Sequence, residues 1–121
     1  MSTSPSEPQG APPQRDLEEL ETLSEVIVAR LSTPVRDHAA LAEAAGAIQE
    51  FADRLHRMRL QRTEAEGETA ELLSALTEIE HMEANLGRVR NPGMLQPDDL
   101  WPYLDRAFSH GRIALAHLRW A

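Results

Sequence analysis

From Leu17 onward the apolar residues recur at steps of three and four, and no stretch alternates apolar with polar. That period puts one face of a helix toward a core, whereas a strand would need a period of two. Leu17, Leu20, Leu23, Ile27 and Leu31 fall on one face of a first helix, with Val26 and Val28 beside it. Asp16 and Glu19 have capping-box spacing at its start, and Ser32-Thr33-Pro34 ends it. Thr33 before Pro34 also suits the opening of a second helix, because proline's missing N–H costs nothing in the first turn. This second helix carries Leu41, Ala45, Ile48, Ala52 and Leu55, widened by Ala44, Phe51 and Met58. A third carries Leu72, Leu76, Ile79 and Leu86, with Leu73 and Met82 alongside. Glu83 lands on the heptad step of that stripe and is expected at the core edge.

The stretch Pro34 to Leu86 therefore reads as a long antiparallel hairpin around which the chain is organised. Its turn lies between Thr63 and Thr69. Either Thr63 and Glu66 form a capping box there, or Gly67 closes the first arm and Thr69 caps the next. Gly46, within an alanine-rich run, is expected to mark a close helix–helix approach, with a break into two shorter helices as the alternative. Gly87 ends the third helix, or Arg88-Val89-Arg90 adds a further turn, before the turn residues Asn91-Pro92-Gly93. Gln96-Pro97-Asp98-Asp99 opens a fourth helix, whose start near Asp98 or Asp99 would keep Pro102 in the first turn. Its apolar face is Leu100, Leu104, Phe108, Gly111, Leu115 and Leu118. Short links between four helices predict an all-α, up-down four-helix bundle occupying residues 16–121 as one domain. Residues 1–15, rich in proline and serine, are expected to be a disordered tail.

Composition narrows the function classes. No cysteine is present, which removes thiol nucleophiles, thiolate metal sites and disulfide scaffolds and suits a reducing cytoplasm. No apolar run is long enough for a membrane span. The formal net charge of −8 disfavours nucleic acid as a partner, since a phosphate backbone demands a dominant basic face. All basic residues are arginine, which, with the abundant alanine, points to a GC-rich bacterial genome. Arg54, Arg57, Arg59 and Arg62 end the second helix, while Glu64, Glu66, Glu68, Glu71, Glu78, Glu80 and Glu83 line the turn and third helix. These sets are expected to attract across the hairpin. Glu50–Arg54 and Asp53–Arg57 have the favourable i,i+4 order.

Candidate chemistry is sparse. Glu78 and His81 have the Glu-x-x-His spacing of di-iron carboxylate bundles, but no second copy exists, so a solvated acid–imidazole pair is the expectation, and no metal or cofactor is expected. Arg106, His110 and His117 share one face of the fourth helix. An arginine and a histidine so placed in a small bundle loosely resemble the helical ribonucleases of bacterial toxin and antiphage systems. Those proteins space the pair more widely, with a polar residue after the arginine. Here three residues intervene and Ala107 follows Arg106, so no role carries over. Arg106 and His110 stand as an alternative catalytic pair, for phosphate stabilisation and proton transfer. The aromatics gather in the fourth helix: Trp101, Tyr103, Phe108 and Trp120, against Phe51 elsewhere. Trp101, Tyr103, Ile113 and Trp120 lie off the apolar line and are the candidate interaction residues, aromatic side chains being favoured interface anchors. The expected function is that of a non-enzymatic, cytoplasmic accessory or adaptor protein in a bacterial regulatory or defence system. It would bind a protein partner, and dimerisation of the long hairpin stays open.

Overall fold

The helical register places apolar stripes on four helices in series: α1 (Gln14–Leu31), α2 (His38–Glu66), α3 (Ala70–Arg90) and α4 (Pro97–Trp120). The computed structural model describes residues 14–120, the side chain of Trp120 excepted. The tail expected at residues 1–15 thus lies outside the described residues, apart from Gln14 and Arg15, which belong to α1.

The helix ends follow from capping chemistry. The α1–α2 connection is longer than Thr33-Pro34 suggested, because Asp37 offers the stronger cap: its carboxylate accepts from the Ala40 backbone N at 2.8 Å. Thr33 instead accepts from the Val35 N through its hydroxyl, at 3.3 Å, and so holds a local turn. Arg36 donates to the Leu31 carbonyl at 3.1 Å, placing a cation at the negative end of α1. Between α2 and α3 the second of the two expected arrangements forms. Gly67, at φ 79°, donates its N–H to the Thr63 carbonyl, and Thr69 caps α3 by accepting from the Leu72 N. Thr63 is still helical and donates its hydroxyl to the Arg59 carbonyl. Helix α3 runs through Gly87 to Arg90, adding the further turn. At the start of α4 the Asp99 carboxylate accepts from the Gln96 N at 3.0 Å, the returning half of a capping box. Pro102 therefore sits in the second turn of α4, not the first, on the exposed side where its missing donor leaves a carbonyl to water.

Cross-helix contacts fix the directions. Gln49 meets Arg90 and Arg59 meets Leu72, so α2 and α3 are antiparallel. Glu71 meets His117 and Glu78 meets His110, so α3 and α4 are antiparallel; Glu19–Arg54 with Arg30–Glu43 does the same for α1 and α2. The result is an up-down four-helix bundle, with α2 and α4 touching across its diagonal, where Phe51 meets Phe108 edge-on at 5.8 Å. All six residues of the expected α4 stripe are buried, as are Leu20, Ile27, Ile48, Phe51, Leu55, Leu72, Ile79 and Leu86.

Packing corrects the expected centre of organisation. The most extensive pairing is α3 with α4, not the α2–α3 hairpin. Ala107, Gly111 and Ala114 explain it: all three are buried small residues on α4, and Met82 of α3 sits over Gly111. Gly46 plays no such part. Helix α2 passes through it unbroken, it is exposed, and a Cβ there would meet nothing within 4 Å. Helix α1 is the outlier: it lies along α2, touches α4 slightly and does not reach α3.

Candidate functional site

The residues singled out from the sequence separate into three places. Trp101 belongs to the core at 1% exposure, with the Arg36 guanidinium 4.7 Å from its ring centroid. The indole is enclosed by the bundle, so Trp101 is no surface anchor. Tyr103, Arg106 and His110 fall on the outer seam between α4 and α3. Ile113 lies on the opposite flank, facing α1. The expectation for Trp120 concerns a side chain outside those described.

The seam is built from two polar lines at helical spacing. Helix α3 contributes Glu71, Ser74, Glu78, His81, Asn85 and Arg88, and α4 contributes Tyr103, Arg106, His110 and His117. The Tyr103 ring is half-buried between them, with the Arg106 guanidinium 5.1 Å and the Arg88 guanidinium 5.7 Å from its centroid. A cation over an aromatic face is held by the ring quadrupole, so Tyr103 acts as a post for two arginines rather than as a free anchor.

One turn along, His110 Nδ1 is 2.6 Å from Glu78 Oε1, with side-chain exposures of 32% and 21%. An ionised carboxylate can only accept, so His110 donates to it from Nδ1. His81 stacks on His110, ring centroids 4.9 Å apart. Glu78, His81 and His110 thus meet in one cluster across the two helices, while the Arg106 guanidinium is directed to the Tyr103 ring. His117 Nδ1 repeats the pairing with Glu71 at 2.6 Å, and His56 Nε2 approaches Glu83 at 3.3 Å. Among the described residues no group of three His, Asp or Glu side chains could hold a metal ion.

The α2 arginines behave differently from the expected pairing across the hairpin. Arg59 donates to Glu68 at 3.0 Å and Arg62 to Glu66 at 2.7 Å, both partners lying at the turn. Both are buried, at 5% exposure, and each also donates to a backbone carbonyl: Arg59 to Leu72 and Arg62 to Leu118, both at 3.0 Å. They staple the end of α2 to α3 and α4. Arg54 turns the other way, to Glu50 and to Glu19 of α1; the hydrogen bonds it donates to Glu50 first and Glu19 second raise its pKa above the ordinary arginine value. Asp53 accepts from Gln49.

No family model, curated protein or solved structure matches the chain.

The third place is the flank where α1 stands off α4. A groove of about 600 Å³ runs between them, with Glu21, Ser24 and Glu25 on the α1 side and Arg112, Ile113, Leu115, Ala116 and Arg119 on the α4 side. Glu21 and Arg119 form a bridge across one end. Farther along, Glu25 and Arg112 line opposite walls of the groove; neither has an ion-pair partner among the described residues, and the Arg112 guanidinium lies 5.8 Å from the Phe108 ring centroid. Ile113 is 45% exposed between these charges. The sequence marked Ile113 as off the apolar line, but it did not reveal that α1 leaves α4 partly uncovered. The polar residues Glu21, Ser24 and Glu25 on the α4-facing side of α1 were the available signal. No helix among the described residues is long and apolar enough to cross a membrane.

Proposed function

We propose that this protein is a non-enzymatic accessory protein of a bacterial regulatory or defence system, acting by protein–protein interaction through the face shared by α1 and α4. The observation that carries the reading is Ile113, an exposed branched apolar side chain in an open groove with acidic residues on one side and basic residues on the other. An apolar centre with a charged rim is the usual anatomy of an interface, in which the centre supplies affinity and the rim orientation. Ile113→Glu should abolish partner binding in co-purification of the full chain while leaving helical circular dichroism unchanged. Undiminished binding by that variant would retire the reading.

The Glu78–His110 pair favours a second reading, a nuclease-like role for Arg106 and His110. It supplies what the bare spacing lacked, a carboxylate that orients the imidazole, with Arg106 one turn back along α4. Its test is cleavage of single-stranded RNA by purified protein. Activity lost in both His110→Ala and Arg106→Ala supports it, and inert wild-type protein removes it.

A further inference from the structure

We infer that the α1/α4 face is an interface between two copies of this chain. This rests on the reading that the face binds protein, and it names the occupant. The argument is one of charge and symmetry. In the antiparallel α1/α4 pair, Glu21 stands level with Arg119, and Glu25 and Arg112 line opposite walls of the groove within about one helical turn of each other in height. Consider a two-fold axis lying over the groove and parallel to the helices. It preserves height and exchanges sides, so α1 of each copy lies over α4 of the other. The acidic wall of each copy, with Glu25, then faces the basic wall of the other, with Arg112 within about one helical turn, the same contact forms reciprocally, and Ile113 lies toward its own counterpart near the axis.

The other two-fold that stacks these faces runs across the helices. It would lay α1 on α1 and α4 on α4, setting glutamate against glutamate and arginine against arginine. Charge therefore selects the first arrangement and rejects the second. A closed dimer needs a self-complementary patch, and this patch carries both members of its charge pair and its own apolar centre. Ser24 and Ala116, both small, line the groove where the helices of the two copies would approach.

Sedimentation equilibrium of the full chain, over a roughly hundredfold range of concentration, tests the inference. The wild type should be a dimer. Ile113→Glu should be monomeric with unchanged helical content, because the side chain it replaces is exposed. Glu25→Arg alone and Arg112→Glu alone should each weaken dimerisation by about tenfold or more, through like charges brought together. The double variant Glu25→Arg with Arg112→Glu should recover most of the loss. A wild type that stays monomeric throughout overturns the inference. So does a dimer that survives Ile113→Glu, or single charge reversals that the double variant does not rescue. Should the wild type be monomeric while Ile113→Glu releases a protein that the wild type holds, the second copy is ruled out as occupant and the interaction reading stands.

Discussion

Gly46 and Gly111 both lie inside a long helix, yet alanine at the two positions has opposite consequences. At Gly46 a new Cβ meets nothing within 4 Å, so Gly46→Ala only removes the conformational freedom that glycine retains in the unfolded chain. The expected gain is about 0.5–1 kcal/mol. At Gly111 the new Cβ would stand 2.7 Å from Met82 Cε, 3.0 Å from Phe51 Cε2 and 3.1 Å from Met82 Sδ. The methionine terminus is flexible, but Met82 and Phe51 are fully buried, and neither can shift without displacing other core side chains. Overpacking of this kind costs about 1–3 kcal/mol, more than the gain in helix propensity, so Gly111→Ala should be destabilising on balance. Urea denaturation of the two variants against wild type gives both signs in one experiment. The same pair shows why single residues are hard to read from sequence. A glycine's spacing reveals which side of its helix it occupies, but not whether another helix covers that side. Gly111 shares its stripe with five large apolar residues, which was a usable signal; Gly46 shares its face with Glu43, Gln49, Glu50 and Asp53, a polar setting that the alanines beside it in sequence obscured. Trp101 was obscured for a related reason, since its distance from the apolar line depends on how α4 rotates as it enters the bundle.

At the scale of the helices, apolar periodicity located all four elements and nearly all of the core, because burial of a stripe is a property that survives small errors in rotation. Polar partners do not survive such errors. Four arginines at the end of α2 look alike in sequence, but Arg59 and Arg62 are buried staples while Arg57 is exposed. What distinguishes them is a pair of backbone carbonyls, Leu72 and Leu118, delivered by the ends of other helices. Leu118 lies in the last turn of α4, where carbonyls lack intrahelical partners, so Arg62 both satisfies an acceptor and places a cation at the negative end of the helix. Arg62→Met keeps the apolar stem and removes the fork, leaving that carbonyl without its guanidinium donor. The expected cost is about 1–3 kcal/mol, against at most about 0.5 kcal/mol for Arg57→Met. Equal denaturation midpoints for the two variants would show that the staple contributes nothing. The same limit hid the Glu78–His110 pair. Each residue was visible, and their adjacency was fixed only when α3 and α4 packed as closely as Gly111 allows.

For the molecule as a whole, the uneven packing predicts where it opens first. Helix α3 is enclosed by α2 and α4, whereas α1 lies along α2 and barely touches α4. Only Leu20 and Ile27 of α1 are fully buried, against Leu72, Ala75, Ile79, Met82 and Leu86 of α3. The ion pairs that tether α1, Arg30–Glu43, Arg54–Glu19 and Arg119–Glu21, are solvent-exposed to varying degrees. Such pairs contribute about 0–1 kcal/mol each and cannot substitute for buried apolar surface. Local opening follows buried contact, so amides of α1 should exchange with deuterium before those of α3. The dimer adds a second dependence, because the second copy covers the side of α1 that its own bundle leaves open. Raising the protein concentration should therefore slow exchange in α1 and leave α3 unchanged, and Ile113→Glu should abolish that concentration effect without altering the order of opening. Exchange measured by mass spectrometry separates the two claims. Equal rates in α1 and α3 at every concentration would mean that the bundle opens only as one unit. Faster but concentration-independent exchange in α1 would mean that the helix is weakly held and nothing docks on its open side.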